Sequence, residues 1–121
     1  MQTIPTPRTA DRTAAADGSE LAWSLSPGRP PRLVVTGEID LATLHEFDHA
    51  MTVSVARHRR LIVDLTGVEF LASSGIRTLY AHLSHLVAVL VSPDNVVARA
   101  LSTVAFPCLV VVPGTRRAGT V

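Results

Sequence analysis

Lysine is missing from this chain, and all eleven of its basic residues are arginine. A Schiff-base lysine, a catalytic lysine amine and the lysine of a phosphate-binding P-loop are thereby excluded. Cysteine occurs once, as Cys108, so an intrachain disulfide and a multi-cysteine metal site are excluded too. The flanking Phe106, Pro107, Leu109 and Val110 predict a buried thiol for it. No apolar run reaches the ~18–20 residues that a membrane span needs. The longest runs, such as Leu86–Val91, have the length of a core strand. A surplus of one charge sign is also lacking. The formal net charge is +1, which gives no electrostatic footprint for nucleic acid. Residues 1–20 lack the long apolar segment of a secretory leader, so the expected location is cytoplasmic.

What remains is 121 residues, 47% of them hydrophobic and 17% charged. The mean hydropathy of +0.32 calls for a well-filled core rather than a disordered chain. One domain is the expectation at this length, which excludes a multidomain enzyme. Residues 1–19 are rich in Thr, Ala and Pro and read as a disordered arm; residues 113–121 read as a flexible tail. The folded unit is expected over residues 20–112.

Within it, ELAWSL (Glu20–Leu25) alternates like a strand, and SPGRPP (Ser26–Pro31) is a turn. RLVVT (Arg32–Thr36) is a second strand, antiparallel to the first because the turn is short. Gly37 to Asp40 then ends it. From Leu41 the period becomes helical, with Leu44, Phe47, Met51 and Val55 as the apolar stripe and Asp40 as the expected N-cap. Basic residues Arg57–Arg60 suit the negative end of that helix.

A third strand, LIVDL (Leu61–Leu65), is expected to close at Thr66-Gly67, with Val68–Ala72 as a linker. Ser73-Ser74-Gly75 opens a second helix with Ile76, Leu79, Tyr80 and Leu83 inward. Val87–Val91 is a fourth strand. Ser92-Pro93-Asp94 reads as the start of a third helix, with Val97, Leu101 and Val104 inward. Leu109–Val112 is a last strand. The expected core includes Leu33, Val35, Ile62, Val63, Val87, Leu90 and Val110.

Strands alternating with helices imply an α/β fold: a four- to five-stranded mixed sheet with an N-terminal antiparallel hairpin and three helices. Loops leaving the C-terminal ends of parallel strands share one edge. That places Glu38 and Asp40 near Ser73 and Ser74, with Ser92 and Asp94 beside them. Hydroxyls at a helix N-terminus next to carboxylates form the most informative constellation in the chain.

LIVDLTGVEFLASSGIRTL (Leu61–Leu79) resembles the signature segment of STAS domains, in particular of bacterial anti-sigma factor antagonists. VTGEIDL (Val35–Leu41) resembles their second strand and the acidic turn after it. LVSPDNVVARAL (Leu90–Leu101) resembles their later strand, Pro turn and helix. The resemblance implies a STAS-like fold over roughly residues 20–112. It also implies a partner switch that binds an anti-sigma factor serine kinase and so frees a sigma factor. In that family the kinase phosphorylates a Ser of the Ser-Ser-Gly segment, and a serine phosphatase removes the mark. The matching position is Ser74, with Ser73 as the alternative. Asp40, Glu38, Ser73, Ser74 and Gly75 are the implied partner-binding residues. No cofactor, no nucleic acid and no membrane enter this reading; the expected state is a monomer or weak dimer. The sequence departs from the family pattern in two places. Ala72 stands where Asp normally precedes the Ser pair, and YAHLSHL (Tyr80–Leu86) lacks the usual Gly-containing turn. Ala72 motivates the alternative, a STAS scaffold or sensor module that binds partners without being phosphorylated.

The enzyme reading would need Asp40, Ser74 and a His as a triad. The five His, at 45, 49, 58, 82 and 85, all lie on or at the ends of expected helices. His45 and His49 are spaced as metal ligands but have no evident third partner. There is no G-x-S-x-G, glycine-rich phosphate loop or cofactor fingerprint. The expectation is therefore no enzyme and no metal.

Overall fold

Alternation of large apolar residues with polar ones makes the first two strands, because successive side chains point to opposite faces. In β1 (Leu21–Ser26), Leu21 and Trp23 are buried and Leu25 is partly so. β2 (Arg32–Ile39) buries Leu33, Val35 and Ile39. The two pair antiparallel from Leu21 opposite Gly37 to Ser26 opposite Arg32. This computed structural model describes residues 21–113; the expected arm 1–19 and all but the first residue of the expected tail lie outside the described residues.

The element order continues with α1 (Leu44–Arg57), β3 (Leu61–Leu71), α2 (Ser73–Ala81), a 3-10 turn (Leu83–His85), β4 (Leu86–Val91), α3 (Val96–Thr103) and β5 (Leu109–Val111). The sheet has five strands in the order β1-β2-β3-β4-β5, with every pair after the first parallel. Each crossover steps the same way across the sheet. Right-handed connections therefore put all three helices on one face. The core lies between that face and the helices: Phe47 and Met51 from α1, Leu79 from α2, and Val97 and Leu101 from α3 meet Val35, Val63, Val89 and Val91.

Two strands run further than the local sequence suggests. β2 continues through Gly37 to Ile39, and β3 continues through Gly67 to Leu71, with Thr36 opposite Gly67 and Ile39 opposite Leu71. Gly67 does not close β3. A Cβ there would lie 2.8 Å from Thr36 Cγ2, so the missing side chain lets the strands stay paired past the bulge. The extension carries the functional edge outward by several residues.

Helix starts are displaced as well. The first helix begins at Leu44 rather than Leu41, and its N-cap position is Thr43 rather than Asp40. The third begins at Val96, not at Pro93. Ser92 Oγ is committed elsewhere, donating to the Thr66 carbonyl at 3.0 Å. Asn95 caps instead, its Oδ1 accepting from Val97 N at 2.8 Å and Ala98 N at 3.0 Å. The missing Gly turn after the second helix is replaced by the 3-10 turn, in which the His85 amide donates to the His82 carbonyl.

Several expected core residues face outward. Tyr80, Val104 and Val110 are exposed, and Ile62, Val87 and Leu90 are only half-buried. Ile62, Leu90 and Val110 sit on the face without helices, opposite the layer of Val63, Val89 and Val91. Tyr80 instead packs edge-on against Phe106 at 4.8 Å between ring centroids. Cys108 is half-buried rather than buried, and desolvation pushes its thiol pKa up.

Candidate functional site

The C-terminal ends of β2 and β3 and the start of α2 meet at one edge. The turn after β2 is built by its own polar side chains. Asp40 Oδ1 accepts from the Ala42 and Thr43 amides at 3.0 and 3.1 Å. The carboxylate is thus an acceptor for its loop one turn before the helix proper. Thr43 is buried and sends its hydroxyl back to the Glu38 carbonyl at 2.8 Å. Glu38 stays half-exposed, opposite Phe70 in the register.

α2 is tied to this turn through the backbone. The Ala72 amide donates to the Ile39 carbonyl at 2.8 Å, which fixes where the helix starts. Gly75 is buried in the first turn, and a Cβ there would lie 2.6 Å from Leu71 Cδ1 and 2.7 Å from Ile39 Cγ2. Glycine at this position is therefore what lets the helix start sit directly on the ends of β2 and β3. Within the edge it contributes close packing against Leu71 and Ile39.

The two serines differ in environment. Ser73 is exposed. Ser74 is half-buried, and among the described residues its Oγ is buried with no hydrogen-bond partner. Its backbone carbonyl accepts from Thr78 Oγ1 at 3.2 Å. Amides in a first helical turn have no intrahelical acceptor. At Ser73 and Ser74 no side chain supplies one, because the N-cap is Ala72. An orphan hydroxyl and uncapped amides at a helix N-terminus favour an anion there.

Sequence reasoning missed the apolar part of this edge. Leu41 is 81% exposed beyond β2, and Phe70 is 45% exposed near the end of β3. Val96, at the start of α3, is exposed as well. Leu41 was expected inside a helix and Phe70 inside a linker, so neither pattern gave a reason for exposure. The available signal was their size: large apolar residues at the ends of strands, Leu41 just after β2 and Phe70 within β3. Glu38, Asp40, Glu69 and Asp94 belong to the same set of strand ends and give the edge an acidic rim.

Catalytic alternatives do not assemble among the described residues. Ser74 Oγ touches no His, and the Asp40 carboxylate is held by its own loop. His45 and His49 lie exposed on α1, and no group of three or more His, Cys, Asp or Glu is placed to hold a metal ion. His49 packs edge-on to Trp23 at 6.3 Å, and His82 Nε2 lies 3.5 Å from Asp48 Oδ1, joining α2 to α1. Among the described residues no helix is long and apolar enough to cross a membrane.

The chain is thus an α/β layer whose helices follow the parallel strands in sequence. The family model described as Mlab, STAS domain matches residues 25–105, and the chain belongs to that family. Solved structures agree on the fold. An anti-sigma factor antagonist from Mycobacterium paratuberculosis is similar with a TM-score of 0.65 and 23% identity, covering 83% of this chain and 92% of that one. The unphosphorylated form of the anti-sigma factor antagonist SpoIIAA gives 0.58 and 14%, covering 82% and 93%. The phosphorylated form of SpoIIAA, a Bacillus cell fate determinant, gives 0.52 and 13%, covering 82% and 96%. No curated protein sequence matches the chain.

Proposed function

We propose that the chain, through a functional unit of residues 20–112, is an anti-sigma factor antagonist working in the cytoplasm as a phosphorylation-controlled switch. In its unmodified form it holds an anti-sigma factor serine kinase and so frees a sigma factor; a serine phosphatase restores that form after modification. The modified residue is Ser74, with Ser73 as the alternative. Glu38, Asp40, Ser73, Ser74 and Gly75 form the docking edge together with Leu41 and Phe70. The observation that carries this reading is the first turn of α2: uncapped amides and a Ser74 hydroxyl with no partner among the described residues, at the strand ends that also carry exposed Leu41 and Phe70.

Phosphate adds about −1.5 to −2 charges. No hydrogen bond of the Ser74 side chain has to be given up, and the neighbouring amides favour the anion. Because Oγ itself is buried, the Ser74 side chain must turn outward to carry the mark at the edge, and the fold tolerates the mark in that orientation. The penalty falls on a partner that packs Leu41 and Phe70 away from water, because it must also desolvate the new charge on an already acidic rim. Binding is lost while the domain stays folded.

The test is a titration of wild type, Ser74→Asp and Ser74→Ala against the partner kinase, with a melting curve for each. Ser74→Asp is expected to weaken binding about tenfold or more, close to 1.4 kcal/mol, with little change in Tm. Ser74→Ala is expected to bind normally and resist modification. Mass spectrometry of protein from its native cell adds the location of any phosphate. Equal affinity of Ser74→Asp and wild type overturns the switch.

Ala72 supports the second reading, a STAS scaffold or sensor module that docks partners without being phosphorylated. In that case phosphate is absent from both serines in native protein. Leu41→Asp or Phe70→Asp then abolishes partner binding, while Ser74→Asp leaves it intact.

A further inference from the structure

At the opposite pole of the domain, charge of the other sign collects. Arg29 from the β1–β2 turn, Arg57 at the end of α1, and Arg59 and Arg60 ahead of β3 line an open depression of about 510 Å³ with His58 and Pro31. Among the described residues no carboxylate lines it, and none of these arginines lies within ion-pair distance of one. The described acids lie elsewhere. Glu38, Asp40, Glu69 and Asp94 rim the far edge, Glu46 holds Trp23, Asp48 faces His82, and Asp64 lies 3.5 Å from Arg32.

The depression does not end at the arginines. Pro31, Arg57 and His58 also border a second lobe of about 390 Å³, whose remaining wall is mainly Trp23, Leu25, Pro27 and Val53. Most of this lobe's lining is apolar, with Ser26, Arg57 and His58 as its polar members. Trp23 is held rigid by its Nε1–H, which donates to Glu46 Oε2 at 2.8 Å. The two lobes share Pro31, Arg57 and His58 as a common wall, one lobe cationic and the other mostly apolar, and each has the size of a small-molecule site.

Arginines clustered without a counter-charge among the described residues repel one another, and an anion relieves that repulsion. Their planar forks match a phosphate or carboxylate bidentately. An inorganic anion would leave the apolar lobe unfilled, and a neutral hydrophobe would leave the arginines unpaired. We propose that this bilobed pocket binds one molecule of a single-chain anionic amphiphile. Its phosphate or carboxylate head sits on Arg29, Arg57, Arg59 and Arg60, and its hydrocarbon lies in the lobe beside Trp23. The site is independent of the edge that carries Ser74.

Trp23 is the sole tryptophan, so its emission reads out the apolar lobe directly. Decyl phosphate, titrated below its micelle-forming concentration, is expected to shift that emission saturably with one-to-one stoichiometry. Decyl glucoside, which has the same chain and no charge, is expected to bind at least tenfold more weakly. Inorganic phosphate is expected to compete without shifting the emission. Arg59→Ala/Arg60→Ala, two exposed positions, is expected to weaken decyl phosphate at least tenfold with an unchanged melting curve, and Ser74→Asp to leave it unaltered. Equal affinity for the phosphate and the glucoside, or no effect of the double substitution, overturns the proposal. So does a response seen only with phosphatidylglycerol vesicles or only with an oligoglutamate peptide, since these assign the arginines to a bilayer or an acidic protein.

Discussion

The Asp40 amide donates to Thr43 Oγ1 at 3.0 Å while the Thr43 amide donates to Asp40 Oδ1 at 3.1 Å, so each residue's side chain satisfies the other's backbone. The pair sits between the end of β2 and the start of α1, and Thr43 anchors it inward through the Glu38 carbonyl. Thr43→Val keeps the shape and removes the hydroxyl, leaving the Asp40 amide and the Glu38 carbonyl without that partner. The expected cost is about 1–3 kcal/mol in urea unfolding. Asp40→Ala is expected to cost about 1 kcal/mol, and Asp40→Asn, which keeps Oδ1, much less. A double-mutant cycle on the two residues should give a coupling of about 0.5 kcal/mol or more. Strict additivity would show that they act independently.

Ala72 leaves the first turn of α2 without a side-chain cap. Ala72→Asp is expected to supply one, since the backbone there is already extended as an N-cap requires. The gain is expected at about 0.5–2 kcal/mol, measured as a rise in thermal midpoint at neutral pH. Protonating the new carboxylate near pH 3 should weaken the gain, because the cap and the helix dipole both act on the charged form. No rise at all would mean that the free amides are satisfied some other way.

Gly75 marks the tightest contact between the helix start and the strand ends. Gly75→Ala sets a methyl 2.6 Å from Leu71 Cδ1 and 2.7 Å from Ile39 Cγ2. Gains in helix propensity of up to about 1 kcal/mol are outweighed by overpacking of about 1–3 kcal/mol. The net expectation is destabilisation, relieved in part by Leu71→Ala in the same chain. Calorimetry that finds Gly75→Ala more stable than wild type would show that α2 can move off the sheet.

Phe47 is fully buried at the centre of the α1 stripe. Phe47→Ala is expected to cost about 3–5 kcal/mol by equilibrium unfolding, from lost burial and the cavity left behind. A value near zero would place Phe47 outside the cooperative core.

Much of this architecture is written locally. The period-2 run around Leu33 and Val35, the 3-4-4 spacing through Leu44, Phe47, Met51 and Val55, and the Ser-Ser-Gly start of α2 each follow from neighbours in the chain. So does the connection order that forces a one-sided α/β layer. The family resemblance lies in those same stretches, which is why Ser73, Ser74 and Asp40 are legible in the sequence.

What only the tertiary structure decided is where strands stop and which surfaces stay wet. β3 outruns LIVDL because Thr36 lies against the bare Gly67, a contact between residues far apart in sequence. Asn95, not Ser92, caps α3 because the Thr66 carbonyl takes the Ser92 hydroxyl across strands. Val110 and Val111 are exposed because β5 is the last strand and only one side of the sheet is covered. The exposure of Leu41 and Phe70, the orphan Ser74 hydroxyl and the arginine-lined pole have the same origin. Hydrophobicity states what a side chain prefers. Whether that preference is met depends on what the rest of the chain places against it, and that is settled only when the elements pack.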